Sequence, residues 1–183
     1  DRKKRYINEY NLSNYDASVL TSDRSVSDFF YSVIKVDTIL KNSSKIVVNW
    51  ISSELFSLLN ENDLEINNSP VSPENLGKLV KLIKDDVISG KIAKDVLLEM
   101  FNTKEDPEKI IEEKGLKQVT DISQIENIVE EVINENQKMV EQYLSGKDKL
   151  LGFFVGQAMK KSMGKANPKI LNDILKEKLS KKN

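Results

Sequence analysis

The sequence predicts an all-α protein, and three observations support this prediction. Apolar residues recur at three- and four-residue steps along most of the chain, a spacing that places them on one face of a helix. Residues that cap helices stand repeatedly just before these apolar stretches. The 183 residues include only seven glycines and four prolines, too few for an all-β chain with many tight turns. About nine or ten helices are expected.

The first predicted helices follow from apolar stripes and the polar residues before them. Ser25-Val26-Ser27-Asp28 has the form of a capping box at a helix start. Ser44 is predicted to cap a longer segment with Val47, Trp50 and Leu55 on its stripe. Val47-Val48 has some strand propensity, but the length of the periodic stretch favours a helix. Trp50 is therefore interpreted as a core residue rather than as a stacking platform for RNA bases.

Three further helices are predicted after a loop rich in asparagine. Ser72-Pro73, Ser89 and Asp106-Pro107 each place a capping side chain before an apolar stripe, and proline suits the first helical position. The first of these helices should end near Asp85-Asp86, because aspartate tolerates the left-handed conformation. Gly115 is predicted to end the third.

The rest of the chain is predicted to hold the last helices. Ser123-Gln124-Ile125-Glu126 forms a second capping box, and Gly146 breaks the helical pattern. A helix is then expected from about Lys147 to Met163, with Gly164 at its C′ position. Asn167-Pro168 is predicted to cap the final helix.

The composition excludes several kinds of site. The chain has no cysteine and no histidine, so it has no disulfide, no thiolate metal site and no Ser-His catalytic arrangement. The acidic residues of 105–141 leave open a carboxylate-only metal site or an exposed acidic surface, and we favour the surface. With no glycine-rich phosphate loop either, we predict no catalytic residue, no metal site and no autonomous enzyme. No apolar run is long enough to cross a membrane.

Two glycines share one face of a predicted helix. Gly152 and Gly156 lie four residues apart, and each costs about 1 kcal/mol of helix propensity relative to alanine. That cost is tolerable where another backbone packs closely, so we predict helix–helix packing at these positions. A glycine-lined ligand groove is the alternative.

The end of the chain is strongly basic. Residues 147–183 contain ten lysines and three acidic residues. The candidate residues for binding a nucleic acid are Lys147, Lys149, Lys160, Lys161, Lys165 and Lys169. If the last two helices form a hairpin, the last four of these lysines gather at one end, next to amide groups of the Asn167-Pro168 turn that suit a phosphate. Composition alone leaves open a solvated surface that complements the helix dipole.

Several segments resemble, in order and spacing, the B subunit of the aspartyl/glutamyl-tRNA(Asn/Gln) amidotransferase. They are Tyr15-Asp16-Ala17-Ser18-Val19-Leu20-Thr21, Asn49-Trp50, Ile88-Ser89-Gly90-Lys91-Ile92-Ala93-Lys94, Gly115-Leu116-Lys117-Gln118-Val119-Thr120-Asp121, Gly152-Phe153-Phe154-Val155-Gly156-Gln157-Ala158-Met159-Lys160 and Gly164-Lys165-Ala166-Asn167-Pro168. The resemblance covers about residues 1 to 180. The family usually has glycine in the turn before the Ile-Ser pair, where this chain has Asp86.

The resemblance implies a domain organisation and a function. Residues 1-118 would form a helical domain and residues 119-183 a YqeY-like tail that grips the body of a tRNA. The parent enzyme would convert Glu-tRNA(Gln) or Asp-tRNA(Asn) to the amidated form, using ATP and Mg²⁺ in a catalytic cradle outside this fragment. Its partners would be tRNA(Gln) or tRNA(Asn), the amidase A subunit and the small C subunit, in the bacterial cytoplasm.

Two expectations accompany this interpretation. Because the chain begins with Asp1 and not with methionine, we expect it to be part of a longer protein, with no cofactor of its own. The alternative function is a helical protein-interaction module, in which the acidic segment of 105–141 contacts a partner protein and RNA has no role.

Overall fold

The structure is a computed structural model, and it describes residues 1–180. It confirms the all-α fold. The chain divides into two compact units between Gly115 and Leu116, three residues before the boundary expected from the sequence. The helices of the first unit are α1 (Arg2–Tyr10), α2 (Asn14–Ser22), α3 (Arg24–Ile34), α4 (Thr38–Lys41), α5 (Ser44–Asn49), α6 (Phe56–Glu61), α7 (Pro73–Lys84), α8 (Gly90–Thr103) and α9 (Pro107–Lys114).

The second unit is built from the remaining helices. They are α10 (Ile122–Glu135), α11 (Gln137–Leu144), α12 (Leu150–Lys161) and α13 (Pro168–Ser180). Within residues 1–180 no strand is formed, and a single parallel bridge joins Val119 to Ala166. None of the helices in this described part combines the length and the apolar character needed to span a bilayer.

Four of the predicted helix starts are confirmed by their capping hydrogen bonds. Ser72 accepts from the amide of Asn75 at 3.1 Å, and Ser89 accepts from that of Ile92 at 3.2 Å. The other two caps, Asp106 and Asn167, likewise accept amide hydrogen bonds within their first helical turns. The left-handed conformations expected at Asp86 and Gly115 are present, with φ of 55° and 59°. These features depend on only a few neighbouring residues, and for that reason they are predictable from the sequence.

Both predicted capping boxes are wrong by two residues. The cap of α3 is Asp23, whose carboxylate accepts from Ser25, and the cap of α10 is Asp121, which accepts from Gln124. In each case an aspartate stands two positions before the serine, and the charged acceptor makes the stronger cap to the positive end of the helix dipole. Ser44 does not cap α5 either, since its hydroxyl donates to the carbonyl of Lys41 at 2.6 Å.

The segment after Ser44 is helical throughout, as predicted, but its middle is a π-helix. The π-helix spans Trp50–Leu55 and joins α5 to α6 without a break. Trp50 is 7% exposed, and Ile51 and Leu55 are fully buried, which confirms Trp50 as a core residue. A π-helix shifts the register of the side chains relative to an α-helix. Within this π-helix the adjacent residues Trp50 and Ile51 both face the core.

Helices α1 and α2 precede the first predicted helix, and α1 is held by an aromatic cluster. The rings of Tyr6, Tyr10, Phe30 and Tyr31 lie with centroids 5.5–6.1 Å apart. Tyr6 is fully buried, and its hydroxyl forms a hydrogen bond with the hydroxyl of Ser27 on α3. Burial raises the pKa of Tyr6 to about 12.

This raised pKa predicts a loss of stability at high pH. Below about pH 10 tyrosine is neutral in both the folded and the unfolded chain. Between about pH 10 and 12 the unfolded chain ionises this tyrosine while the folded chain keeps it neutral, so the free energy of unfolding falls. Urea unfolding of the wild type and of Tyr6→Phe at several pH values should show a steeper fall for the wild type in this interval. Equal slopes would contradict the assignment.

The core of the second unit is formed by α10, α12 and α13. Val129, Phe154, Leu171 and Leu175 are all fully buried within it. The helical stretch between Asp121 and Gly146 is divided at Asn136, where φ of −127° and ψ of 44° leave the helical region. As a result, α11 forms a separate helix that packs on α12.

Candidate nucleic-acid interface

The turn between α12 and α13 closes with a two-bond C-terminal motif. The amide of Gly164 donates to the carbonyl of Met159 at 2.8 Å, and the amide of Met163 donates to that of Lys160 at 3.0 Å. This pattern defines a Schellman motif in which C′ is Met163 and C″ is Gly164. The prediction of Gly164 at C′ is therefore wrong by one residue, although both residues have positive φ, 55° and 77°. The side chain of Met163 is 75% exposed.

The start of α13 is tied to the segment that precedes α10. Val119 donates its amide to Lys165 at 2.6 Å and accepts from the amide of Asn167 at 2.9 Å. The Asn167 side chain donates to Gln118 at 3.3 Å and caps α13 by accepting from Ile170 at 3.1 Å. These bonds hold the turn in a defined position within the second unit.

The same bonds weaken the expectation of a phosphate site at this helix start. The amide of Ile170 already has an acceptor in Asn167, and Pro168 has no N–H group. Two of the amides that would face an anion are therefore not available. A phosphate bound at this turn would therefore contact mainly lysine side chains.

Gly152 and Gly156 do not pack against another backbone, so that prediction is wrong. Both are exposed, and a methyl group added at either position would meet no atom within 4 Å. Phe154 and Ala158 form the fully buried side of α12 instead. The two glycines leave a bare strip of helix backbone on the outer side of α12, in line with Lys149 and Lys160.

A close backbone approach does occur, but at Gly77 on α7. A methyl group there would lie 2.7 and 2.9 Å from side-chain atoms of Val36. Periodicity does not distinguish Gly77 from Gly156, because each occupies a helix interior and only the neighbouring segment differs.

These environments predict opposite effects of the same substitution. Gly156→Ala should raise the free energy of unfolding by about 1 kcal/mol, because alanine has the higher helix propensity and the site is open. Gly77→Ala should lower it by roughly 1–2 kcal/mol, since the clash with Val36 exceeds the gain in propensity. Urea denaturation of both variants checks this pair. A destabilised Gly156→Ala would show that α12 is more closely covered than the structure indicates.

The candidate lysines lie in separate places along α12 and beyond it, with Lys169 in the first turn of α13. Lys147 and Lys149 lie at the N-terminal end of α12, whereas Lys160 and Lys161 lie in its last turn and Lys165 follows in the next turn of the chain. Lys160 follows Lys149 by eleven positions, which corresponds to about 16 Å along a helix. The structure therefore does not bring all six candidates together.

Lys161 is engaged by carboxylates. Its ammonium group lies 2.9 Å from Glu135 and 3.5 Å from Glu131 on α10. The hydrogen bond to Glu135 raises the pKa of Lys161. Lys178 on α13 is held in the same way by Glu130, at 2.9 Å. These pairs neutralise part of the acidic face of α10, where no three carboxylates within residues 1–180 converge as a metal site would require.

Three lysines around the turn remain without an ion pair among the described residues. They are Lys160, Lys165 and Lys169, which we call the lysine corner. Lys160 and Lys169 are exposed, and Lys165 is half-buried. Their positive charges face solvent with no carboxylate within 4.0 Å in the described part of the chain, so they are available to an anionic partner.

Two features of this surface are not predicted by the sequence pattern: the ion pairs of some lysines and the position of Met163. The pairing of Lys161 and Lys178 depends on α10 lying beside α12 and α13, which no local pattern reveals. The sequence pattern predicts Met163 to be the last residue of the helix, whereas in the structure it is the exposed left-handed residue of the turn. The signal that could have found it is the Met163-Gly164 pair, because the left-handed C′ residue can precede the glycine.

Taken together, the fold and this surface define an all-α, two-unit chain whose lysine corner has no ion pair among the described residues. Comparison with known proteins gives the family. The GatB domain model matches residues 28–179. The chain belongs to the GatB domain family, which confirms the resemblance identified from its motifs.

Curated relatives agree with this assignment. The chain is 50% identical over 179 residues to the B subunit of the aspartyl/glutamyl-tRNA(Asn/Gln) amidotransferase from Alkalilimnicola ehrlichii, covering 98% of this chain and 37% of that protein. It is 51% identical over 177 residues to the protein of the same name from Rickettsia rickettsii, with coverages of 97% and 36%. The Thermoanaerobacter protein of that name is 48% identical over 180 residues. The chain thus spans a little over a third of the length of these relatives.

Proposed function

We propose that this chain is the tRNA-docking part of a tRNA-dependent amidotransferase B subunit and carries no catalytic centre. The observation that supports this most directly is the lysine corner, a set of cations that have no ion pair among residues 1–180, on a turn fixed by hydrogen bonds. The family assignment supplies the substrate class, because the relatives are named for Asp/Glu-tRNA(Asn/Gln) amidotransferase.

The proposed mode of recognition is phosphate contact combined with shape. Lysine ammonium groups that neutralise phosphates release counterions, which favours binding without reading bases. Double-stranded RNA is recognised mainly by its shape and backbone. The bare backbone at Gly152 and Gly156 allows a ribose-phosphate chain to approach α12 closely, between Lys149 at one end and Lys160 at the other.

The remaining steps of the reaction belong to other parts of the assembly in this proposal. ATP and Mg²⁺ would be used by a catalytic cradle elsewhere in the B subunit, and this part would hold no cofactor. The amidase A subunit and the small C subunit would be its protein partners through the whole B subunit. The complex would act on tRNA(Gln) or tRNA(Asn) in the bacterial cytoplasm.

Direct binding of tRNA tests this function. The chain is titrated into transcribed tRNA(Gln) and tRNA(Asn) at about 50 and 200 mM salt. Three phosphate contacts predict that the logarithm of the binding constant falls with the logarithm of salt concentration with a slope of about −2 to −3. An unfolded RNA of equal length is the control, and it should bind more weakly. Equal affinity for both RNAs would contradict docking of a folded tRNA, and capture of the A subunit alone would favour the protein-interaction alternative.

A further inference from the structure

The first unit contains an open cavity that the proposed function does not use. Its volume is about 420 Å³. The residues that line it come from the end of α1, from the α4–α5 connection with α5, and from the end of α7: Tyr10, Asn11, Asn42, Ser43, Ser44, Lys45, Ile46, Asn49 and Lys84. A volume of this size lies within the range of small-molecule sites.

The lining of this cavity is rich in hydrogen-bond donors. Asn11, Asn42 and Asn49 contribute side-chain amides, and Ser43 contributes a hydroxyl. None of these four side chains has a hydrogen-bond partner among the described residues, and Ser43 makes no capping bond to α5. The donors are therefore free to bind a ligand in the cavity.

The charged side chains that line the cavity are all positive. Lys45 and Lys84 line it, and no lining residue is a carboxylate. Lys41, which precedes the cavity residue Asn42, lies with its ammonium group 6.0 Å from the centre of the Tyr10 ring and adds a third cation. Lysine in the last turn of a helix is also favoured by the helix dipole, as Lys84 is in α7, but this does not account for Lys45 at the start of α5.

Acidic residues close in sequence to the cavity residues are already engaged. Glu9, which precedes Tyr10, forms an ion pair with Arg5 at 3.0 Å. Asp37 and Asp85 lie 3.7 and 3.5 Å from the ammonium group of Lys81. Asp86 is exposed, does not line the cavity and forms the left-handed turn after α7. Within residues 1–180, neither Lys45 nor Lys84 has an ion pair.

We propose that this cavity binds the phosphate group of a phosphate-bearing ligand. Two ammonium groups supply the charge, and the three amides with the Ser43 hydroxyl supply directed donors to phosphate oxygens. The cavity is larger than a phosphate group requires, and the Tyr10 ring forms an apolar wall for the organic part of the ligand. This site lies in the first unit and is independent of the lysine corner.

Nuclear magnetic resonance on the ¹⁵N-labelled chain tests this proposal with inorganic phosphate as the probe. The amide signals of residues 42–49 and of Lys84 should shift and saturate at millimolar phosphate. In the double variant Lys45→Gln/Lys84→Gln, half-saturation of these shifts should require a phosphate concentration at least about tenfold higher than in the wild type. This is the change expected when roughly 1.4 kcal/mol of binding energy is lost. The matched control is Lys91→Gln/Lys104→Gln, which removes two exposed lysines of the same unit that do not line the cavity.

Two results would overturn the proposal. One is a linear, unsaturated response to phosphate, and the other is the same saturation in the cavity variant as in the control variant. The spectrum of each variant without phosphate establishes that it is folded. Repeating the titration with transcribed tRNA identifies the source of the phosphate, because shifts at the same amides indicate an RNA phosphate and their absence indicates a small phosphorylated molecule. Loss of tRNA binding at the lysine corner would leave the inorganic phosphate result unchanged.

Discussion

Charge reversal at the lysine corner, Lys160→Glu/Lys165→Glu/Lys169→Glu, is expected to lower the affinity for tRNA by a factor of about 100 or more at 0.1 M salt. Each phosphate contact contributes roughly tenfold to the binding constant under these conditions through counterion release. The slope of the salt dependence should become less negative by about 2 to 3. Fluorescence titration of labelled tRNA at several salt concentrations measures both quantities.

A variant of equal charge separates a local effect from a general one. Lys91, Lys104 and Lys138 are exposed and have no ion pair among the described residues, so their reversal gives the same change in net charge. This control should bind tRNA with a nearly unchanged slope. If the two triple variants lose affinity equally, net charge and not the lysine corner governs binding.

Lys161→Glu provides a second comparison at the same turn. The new carboxylate would face Glu131 and Glu135 in place of the present ion pairs. We therefore expect a loss of stability in the second unit and little change in the salt slope. A large loss of tRNA affinity from this variant while it remains folded would place Lys161 in the interface.

Phe154→Ala is expected to unfold the second unit or leave it barely stable. Phe154 is fully buried, and its ring packs edge-on against Tyr143 and Phe153 at centroid distances of 6.3 and 5.5 Å. Truncation of a buried phenylalanine costs about 3–5 kcal/mol. That is comparable with the whole stability expected of so small a unit at about 0.05–0.15 kcal/mol per residue.

The single tryptophan allows this loss to be assigned to one unit. Trp50 is buried in the first unit, so its fluorescence follows the unfolding of that unit alone, whereas far-ultraviolet circular dichroism follows both. In Phe154→Ala the dichroism should decrease at low urea while the fluorescence transition stays near its wild-type midpoint. Phe154→Leu, which retains most of the apolar volume of the side chain, should lose much less stability of the second unit. An unchanged dichroism transition in Phe154→Ala would contradict the assigned core.

The local features of this protein were predictable because each depends on a few adjacent residues. The caps at Ser72, Ser89, Asp106 and Asn167 follow from a polar side chain placed before an apolar stripe, and their hydrogen bonds close within one helical turn. The capping boxes failed for a local reason also, since a nearby aspartate is the better acceptor.

The amino-acid sequence by itself determined the helical fold, the burial of Trp50 and membership of the GatB domain family, because periodicity and ordered motifs are properties of the chain. Only the tertiary structure decided which glycine is closely packed and which lysines lack an ion pair among the described residues. Gly77 meets Val36 while Gly156 faces solvent, and Lys161 meets Glu135 while Lys160 meets no carboxylate among the described residues. The physical reason is that steric contact and ion pairing act over a few ångströms between segments far apart in sequence.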